Sequence, residues 1–345
     1  MTKRFLIIIV LATLFFIVKL FYQAGQFKTI TNHFEGKVIN TYTSMPGPED
    51  MQVDYESGNL FISATNRRPN VKTNSQDGIY RLKLSENTQP ELIANDYTGG
   101  FHPHGISLKR VDSTLYVLVV NHNKQGEFIE SFKYERGFLY HLASYSSALI
   151  CCPNDVVAIA KNKFYTTNDH GTKKGFMRKL EDYLNIPRAS IVYYNGTDFK
   201  KVADHFNYAN GINISKDGSR LYMTATTGHS LHTFTISDDG SLNNDHILDL
   251  NSGLDNIDVD AAGNLWIASH PKLLSFIKHA KDSTSYSPSE VFKLIPNNDD
   301  TFNSKVVYMN DGQQISGSSI AVHYNNELLI GDVFDHKLLR TKLEK

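Results

Sequence analysis

A short unit recurs six times along the chain: a small or polar turn followed by an apolar strand. The first apolar residues of the six units are Leu60, Leu115, Phe164, Leu221, Leu265 and Leu328. Successive units lie 44 to 63 residues apart, and a period near 54 suits a four-stranded blade with one long loop. Short runs of β-branched and aromatic residues alternate with Gly, Asn and Asp turns. The pattern therefore predicts an all-β fold, a six-bladed β-propeller with four-stranded blades.

The length of the chain leaves one alternative to a single propeller. Its 345 residues are enough for the core of one large domain or of two ordinary ones. Two stacked β domains are the competing interpretation, although no Pro/Ser-rich linker separates the halves. We expect one propeller domain over residues 30–345, with a short helix at about Lys173–Leu184 on an insertion.

The N-terminus differs in character from the rest of the chain. Lys3 and Arg4 precede the apolar run Phe5–Val18, and Lys19 follows it. A positive flank before about 7–15 apolar residues is typical of a secretory signal. Because no small-x-small cleavage site precedes Ala24, we expect residues 1–25 to form an uncleaved signal anchor, an apolar helix that attaches the protein to a membrane. The positive flank favours an extracytoplasmic, membrane-anchored body.

Two other interpretations of this N-terminal segment stay open. A cleaved signal would give a secreted or periplasmic protein, and a buried helix is the third possibility.

Charge and cysteine content exclude several classes of partner and site. The 35 Lys and Arg balance 36 Asp and Glu, so the net charge of -1 gives no basic field for nucleic acid. The two cysteines, Cys151 and Cys152, are adjacent, and neighbouring cysteines rarely form a disulfide. The sequence therefore predicts neither a disulfide framework nor a multi-cysteine zinc site.

A polar residue stands ten or eleven positions before each repeat anchor. These six residues are Glu49, His104, Asn154, Asn210, Asp255 and Ser318. The same offset means the same place in each blade, most simply the mouth of the innermost strand. In a propeller these places surround the central channel, so we expect the six side chains to converge.

Most of these positions offer oxygen atoms. Two carboxylates plus amide carbonyls, with no thiolate, suit Ca²⁺, a hard cation that takes about six to eight oxygen ligands. The predicted ligands are Glu49, Asn154, Asn210, Asp255 and the neighbouring Asn256. Asp50 and Asp155 lie one residue further on, and strand alternation turns them toward a second, deeper ion. A single Asn or Asp here is usually a turn residue, but five at one repeat phase favour a metal site.

Two histidines are candidates for proton transfer. His104 shares the phase of the metal ligands but is a poor calcium ligand, so the role of general base for a water molecule suits it better. His122 follows a strong strand and would orient His104 or relay its proton. The competing interpretation is that each is one of several structural histidines, since the chain contains 14.

Six segments resemble the paraoxonase/arylesterase family, and they occur in the family's order within residues 35–340. They are FHPHGIS at 101–107, VVNH at 119–122, PNDVVA at 153–158, TNDH at 167–170, ANGINIS at 209–215 and DNIDVD at 255–260. The family consists of six-bladed propellers that hold two calcium ions and hydrolyse lactones, aryl esters and some organophosphates. A retained N-terminal apolar anchor also fits it.

The resemblance implies roles for particular residues of this chain. Its catalytic calcium ligands fall on Glu49, Asn154, Asn210, Asp255 and Asn256. Its structural calcium falls on Asp50, Asp155 and the backbone carbonyl of Ile106. Its histidine dyad falls on His104 and His122. We further expect Asp169, His170 and His270 around the site, and Tyr208 and Phe334 along an acyl pocket.

The sequence also departs from the family's pattern. The disulfide of the animal enzymes has no cysteines here, so we expect strand pairing and packing alone to close the propeller. Ser269 stands where the animal enzymes carry a free cysteine, before His270. The segment Asn66–Gln76, where the family has an active-site lid, is polar and basic instead of aromatic.

The sequence-based hypothesis is a calcium-dependent carboxylic ester hydrolase, an arylesterase or lactonase, acting on a small-molecule lactone or ester. Calcium would polarise the carbonyl and stabilise the oxyanion, while the histidine dyad activates water. The alternatives are a non-catalytic, calcium-stabilised binding propeller and a gluconolactonase-like or strictosidine-synthase-like propeller of different specificity. The sequence indicates neither the natural substrate nor an oligomeric state.

Overall fold

A computed structural model describes residues 2–68, 71, 74–297 and 301–344. The chain begins with α1 (Thr2–Gln23), β1 (His33–Phe34) and β2 (Gly36–Tyr42). Six sheets lie around a common axis, each with four antiparallel strands, and two of them gain a short fifth strand at the edge. Part of the expected lid lies outside the described residues, namely positions 69, 70, 72 and 73.

The first three blades run through the N-terminal half of the propeller. Blade 1 comprises β3 (Pro48–Asp54), β4 (Asn59–Ala64), β5 (Gly78–Lys83) and β6 (Glu91–Leu92). The short β7 (Ala94–Asn95) joins the edge of blade 2, which comprises β8 (Pro103–Val111), β9 (Thr114–Asn123), β10 (Gly126–Glu135) and β11 (Phe138–Tyr145). Blade 3 comprises β12 (Pro153–Ala160), β13 (Lys163–Asn168), β14 (Ala189–Tyr194) and β15 (Phe199–Phe206), with α2 (Phe176–Leu184) between its second and third strands.

The last three blades complete the ring. Blade 4 comprises β16 (Ala209–Ile214), β17 (Arg220–Ala225), β18 (Ser230–Ile236) and β19 (Leu242–Asp249). Blade 5 comprises β20 (Gly253–Val259), β21 (Leu265–His270), β22 (Ser289–Pro296) and β23 (Phe302–Asn310), with α3 (Leu273–Lys281) as an insertion and β1 on its edge. Blade 6 comprises β24 (Ser318–Tyr324), β25 (Glu327–Asp332) and β26 (Leu338–Leu343). The predicted six-bladed propeller and apolar N-terminal helix are confirmed.

The two ends of the propeller chain meet in blade 6. The N-terminal strand β2 pairs antiparallel with the C-terminal strand β26, from Gly36 opposite Leu343 to Tyr42 opposite Leu338. Blade 6 therefore takes its outermost strand from the other end of the chain, and backbone hydrogen bonds close the ring. Both cysteines are free thiols.

Apolar side chains fill the spaces between neighbouring blades. Each of the six buried clusters joins two adjacent blades, as Leu60 and Ile320 do between blades 1 and 6 and Tyr165 and Met223 between blades 3 and 4. Burying one such aliphatic side chain contributes about 1.5–3 kcal/mol of hydrophobic stabilisation. The six apolar layers therefore hold the innermost strands at fixed positions around the axis, which determines where the polar residues at their ends lie.

Candidate active site

A β-bulge interrupts strand pairing near the start of every innermost strand. The register shifts lie at Pro48/Asp50, Pro103/Ile106, Pro153/Val156, Ala209/Ile212, Leu254/Ile257 and Ser318/Ile320. A bulge inserts one extra residue into a strand and redirects the adjacent side chains. At Gly105 the bulge brings the backbone so close to Asp155 that a Cβ atom would lie 2.4 Å from its Oδ1, so only glycine fits there.

The bulges separate consecutive side chains into two levels along the axis. At the upper level, a cavity of about 690 Å³ is lined by Glu49, His104, Asn154, Asn210 and Asp255. At the lower level, a much smaller cavity is lined by the residues one or two positions further along the same strands, namely Asp50, Ile106, Asp155, Ile212 and Ile257. Neighbours in the sequence thus face two different cavities.

The upper group contains buried oxygen atoms that lack a hydrogen-bond donor within the described part of the chain. They are Glu49 Oε2, Asn154 Oδ1, Asn210 Oδ1 and Asn256 Oδ1. An unsatisfied buried polar atom costs about 1–3 kcal/mol, so four at one place indicate a missing positive partner. These oxygens, together with Asp255, are the donor set that a hard divalent cation requires.

Hydrogen bonds orient this oxygen donor set. Asn256 donates from Nδ2 to Glu49 Oε1 at 2.9 Å, and Asn210 donates from Nδ2 to Thr226 Oγ1 at 2.9 Å. The amide nitrogens are thereby occupied and the carbonyl oxygens stay free. His270 Nε2 lies 2.9 Å from Asp255 Oδ2 and fixes the orientation of that carboxylate.

The lower group consists of two carboxylates at the axis. Asp50 accepts hydrogen bonds from the amides of Met51 (2.8 Å) and Ile106 (2.7 Å), and Asp155 accepts from those of Val156 (2.7 Å) and Ile212 (2.8 Å). Burial, followed by neighbouring carboxylates, raises the pKa of both groups well above the ordinary value. A cation between them would remove that electrostatic penalty. The amide N–H of Ile106 makes the contact with Asp50, and the role expected for its carbonyl stays a prediction.

The described residues contain no cluster of three or more His, Cys, Asp or Glu side chains arranged to hold a metal. Each level here has only two carboxylates. The remaining donors are amide and backbone oxygens, which are ligands for calcium rather than for zinc.

A hydrogen-bonded array of histidines and glutamates borders the upper cavity. His104 Nδ1 is 2.7 Å from His122 Nε2, and His122 Nδ1 is 2.5 Å from Glu127 Oε2. At the other end, His104 Nε2 lies 3.2 Å from Glu49 Oε1. Burial lowers the pKa of His122 below its ordinary value, so that the ring is neutral at pH 7. The array places one imidazole directly beside the oxygen donor set.

Glu127 was not predicted from the sequence. It lies at the start of β10, on the strand next to that of His122, and it occupies no repeat position. Glu127 lies opposite His122 in the hairpin of β9 and β10, and a sequence-based prediction of that hairpin could have identified it.

The predicted surrounding residues form a second polar group on the rim. His170 Nδ1 is 2.8 Å from Asp169 Oδ1, and His170 Nε2 is 2.7 Å from Asp182 Oδ1 on α2. Although burial opposes the charged form, the two carboxylates raise the pKa of His170 to about 9. Arg178 adds a 3.0 Å ion pair with Asp169. Because His170 and Arg178 balance Asp169 and Asp182, this group is close to neutral at pH 7 and attaches α2 to the rim.

Aromatic side chains form one wall of the upper cavity. The ring of His270 stacks on Phe276 of α3 at a centroid distance of 3.7 Å, and Phe276 packs against Phe334 at 5.2 Å. Tyr208 also lines the cavity and is edge-on to His170 at 4.9 Å. Both predicted pocket residues, Tyr208 and Phe334, line the cavity. Helix α3, which supplies Phe276, was not predicted from the sequence.

The end of α1 also contributes to the upper cavity. Leu20, Gln23 and Ala24 are among its lining residues. The Leu273 amide donates to Ala24 O at 3.0 Å, and a Cβ on Gly25, whose φ is +69°, would lie 2.1 Å from Pro271 O. The segment directly after α1 therefore contacts the propeller at Ala24 and Gly25.

At the sixth repeat position, the residue that contacts Glu49 is Ser319 instead of the predicted Ser318. Ser318 donates to Glu290 O at 3.4 Å, within the packing of blades 5 and 6. Its neighbour Ser319 instead donates to the backbone carbonyl of Glu49 at 2.7 Å. The bulge explains this exchange, because it shifts the side chains by one position.

The fold and the site together define a class: a six-bladed propeller with stacked oxygen-donor groups on its axis and a histidine pair at the mouth. The Arylesterase family model matches residues 39–343. Human serum paraoxonase/arylesterase 1 is 35% identical over 86% of both chains, and rat serum paraoxonase/arylesterase 2 is 32% identical over 85% of both. The chain belongs to the arylesterase family.

Solved structures at much lower sequence identity show the same fold. A gluconolactonase from Xanthomonas campestris is 14% identical with a TM-score of 0.54, covering 92% of this chain and 95% of its own. The calcium-binding protein regucalcin from Agrobacterium tumefaciens is 15% identical with a TM-score of 0.53, covering 92% and 98%.

Proposed function

We propose that the protein is a calcium-dependent carboxylic ester hydrolase that opens lactones and cleaves aryl esters. The observation that carries the proposal is the set of four buried oxygens that lack a hydrogen-bond donor among the described residues, three of them on residues that line the cavity of about 690 Å³, with a histidine array beside them. The names of the relatives, paraoxonase/arylesterase, support the same reaction class.

The proposed catalytic calcium site takes Glu49, Asn154, Asn210, Asp255 and Asn256. The buried oxygens of this set fit the ion, because the two carboxylates balance its charge and the amides complete its coordination. When bound, calcium supplies Lewis-acid polarisation of the substrate carbonyl and stabilisation of the oxyanion. His270 holds Asp255 from behind, as outer-shell partners of metal ligands commonly do.

The histidine array performs the proton transfer. The Glu127 carboxylate accepts the Nδ1–H of neutral His122, whose Nε2 then accepts the Nδ1–H of His104. This order leaves a lone pair on His104 Nε2, which lies 3.2 Å from Glu49 Oε1 and would accept a proton from water once that carboxylate binds a cation. A water molecule attacks the ester carbonyl carbon while His104 Nε2 takes its proton. The bond between the carbonyl carbon and the leaving oxygen then breaks, and that oxygen receives the proton, which gives a carboxylic acid and an alcohol.

The lower cavity is proposed to hold a second, structural calcium at Asp50, Asp155 and the backbone near Ile106. The raised pKa of both carboxyl groups supports this site, since burying two charged groups together without a cation is costly. The innermost strands of blades 1, 2 and 3 supply these residues. An ion here would therefore join blades and stabilise the fold.

We also propose that α1 anchors the protein to a membrane, with the propeller outside the cytoplasm. Residues Lys3–Gln23 form a helix of mean hydropathy 2.7, long and apolar enough to cross a membrane and not buried by the propeller. A signal sequence has the same properties. The positively charged residues Lys3 and Arg4 favour the proposed orientation.

The function is tested with a panel of δ-lactones and phenyl acetate, each assayed with calcium and after chelation. The proposal expects hydrolysis of both substrate classes, loss of activity with the chelator and recovery when calcium is added back. A non-catalytic binding propeller would instead show calcium-dependent thermal stability with no hydrolysis.

A further inference from the structure

The charges around the upper cavity do not balance once a metal site is assigned there. The acidic lining residues are Glu49, Asp182 and Asp255, and the basic ones are Arg67, Arg178, Lys179 and Lys281. Asp182 and Arg178 belong to the neutral group around His170. Glu49 and Asp255 carry two negative charges that a divalent ion neutralises. Three cations of the cavity are then left without a counter-charge.

Two of the three cations lie at the exposed rim. Lys179 is on α2 and Lys281 is at the end of α3, on helices that border the cavity. Neither side chain takes part in an ion pair with any residue that the structure describes. Exposed cations of this kind attract anions to a cleft and raise their local concentration.

Arg67 is different because it is largely buried at the cavity floor. Its side chain is 16% exposed, and Nη2 lies 3.7 Å from Glu49 Oε2. The backbone carbonyls of Gly47 (3.5 Å), Thr65 (3.4 Å) and Pro103 (3.3 Å) hold the guanidinium at long hydrogen-bond distances. Guanidinium has five N–H donors. Nη1 makes two of these contacts and Nη2 makes one, so the contacts leave Nε and the second N–H of Nη2, which faces Glu49.

A buried cation without a counter-charge is energetically unfavourable. With Glu49 engaged by a divalent ion, Arg67 loses its nearest anion. An anionic group on a bound molecule would restore the balance, and carboxylate is the partner whose geometry matches the guanidinium fork.

We infer that the preferred substrates are lactones or esters that carry a carboxylate, and that Arg67 recognises this carboxylate next to the proposed metal site. The inference rests on the proposed function and narrows it to a substrate class. The aromatic wall formed by Phe276 and Phe334 packs against the uncharged part of such a substrate. Arg67 is thus a specificity residue, distinct from the histidine array that moves the proton.

The test compares 4-acetoxybenzoate with its neutral analogue 4-acetoxybenzamide. Each substrate is assayed with the full-length, calcium-loaded wild type, with Arg67→Gln and with Arg67→Lys. Arg67→Gln removes the charge and is expected to lower kcat/KM for the anionic ester about 10–100-fold, the usual effect of losing a charge-assisted hydrogen bond. The value for the amide is expected to fall clearly less than that for the anionic ester, and Arg67→Lys is expected to recover part of the loss. Lys37→Gln removes an exposed charge on β2 and is the matched control, with no expected change.

Equilibrium binding provides a readout that does not depend on turnover. Calorimetric titration of the calcium-loaded wild type with 4-hydroxybenzoate should show binding at least about tenfold tighter than with 4-hydroxybenzamide, and Arg67→Gln should abolish this difference. If the benzoate binds Arg67→Gln as tightly as the wild type, the carboxylate does not bind at Arg67 and the inference is wrong. An unchanged calcium-dependent melting temperature confirms that Arg67→Gln keeps its fold and its ion.

The outcomes separate this inference from the proposed function. If both esters are hydrolysed equally well and Arg67→Gln affects them equally, the function stands and the carboxylate preference is refuted. If neither ester nor any lactone is hydrolysed with calcium present, the proposed function itself is refuted.

Discussion

His104 is the residue where the proposed proton transfer meets the proposed metal site. We predict that His104→Gln keeps calcium affinity and lowers kcat/KM by about 10²–10⁴-fold, the usual contribution of a general base. The value of kcat/KM should fall further for lactones than for aryl esters, because an alkoxide is a poor leaving group and its displacement needs a stronger nucleophile. The measurement is the ratio of lactonase to arylesterase kcat/KM at saturating calcium, which should fall in the variant. A ratio that is unchanged or higher would show that His104 is not the general base for lactone opening, and would assign that role to His122 or Glu49.

Glu127 is predicted to position His122 through the 2.5 Å contact with its Nδ1. Glu127→Gln removes the negative charge and one of the two acceptor oxygens at that contact, which weakens the hydrogen bond from His122 Nδ1–H. We expect kcat to fall about 10–100-fold, as for other outer-shell carboxylates on histidine, with KM nearly unchanged.

The matched control for Glu127→Gln is Glu135→Gln, on the same strand, where the carboxylate is exposed and pairs with Lys133. Equal effects of the two substitutions, or an effect on KM alone, would exclude the positioning role. Glu127→Asp should restore part of kcat, and its pH profile should resemble that of the wild type.

At the residue scale, the sequence predicts those parts of the site that follow the repeat. Glu49, Asn154, Asn210 and Asp255 were found because they share one phase, and the structure places them around one cavity. Glu127 and Arg67 have no counterpart in the other blades, so no periodic signal could identify them. Their roles depend on distances across a hairpin and across a loop, which only the folded chain defines.

Single elements set the shape of the cavity, and the end of α1 is the clearest case. We predict that a chain lacking residues 1–18 is soluble and active, because it keeps Leu20, Gln23 and Ala24 on the cavity wall. A chain lacking residues 1–28 should be soluble but less active, because the hydrogen bond from Leu273 to Ala24 and the close contact of Gly25 with Pro271 are lost.

Both truncated chains and the full-length protein are compared by cell fractionation and by kcat/KM for one lactone. The full-length protein is expected in the membrane fraction. Equal activities of the two truncated chains would show that residues 19–28 have no part in the cavity. A full-length protein found soluble and cut near Ala24 would favour the cleaved signal over the anchor.

Of the two helices near the cavity, one was predicted from the sequence and the other was not. The helix expected at Lys173–Leu184 is present as α2, slightly shorter, at Phe176–Leu184. The other helix, α3, was missed because its nine residues follow directly after the strand of a repeat unit and interrupt the regular blade. The six β-bulges were missed too. Isolated glycines such as Gly105 and Gly211 within strand patterns were a signal for them.

At the scale of the whole molecule, the six-blade count follows from the repeat, and so does the convergence of distant residues on one axis. The way in which the ring closes does not follow from it. Strand β2 completes blade 6 beside β26, although about 300 residues separate them in the sequence. The repeat pattern carries no information on which terminal strand fills the last blade. With no disulfide among the described residues, the ring depends on this pairing and on the six apolar layers.

The central claim is that one ion on the axis serves catalysis and another serves stability. The most direct test adds calcium back to chelator-stripped protein and records ester hydrolysis and melting temperature in the same samples. The wild type should regain both. Asp255→Ala should regain most of the thermal stability while its activity stays about 100-fold or more below the wild type. Asp155→Ala should lose most of the calcium-dependent rise in melting temperature. Full activity without calcium, or equal losses of stability in the two variants, would contradict the account.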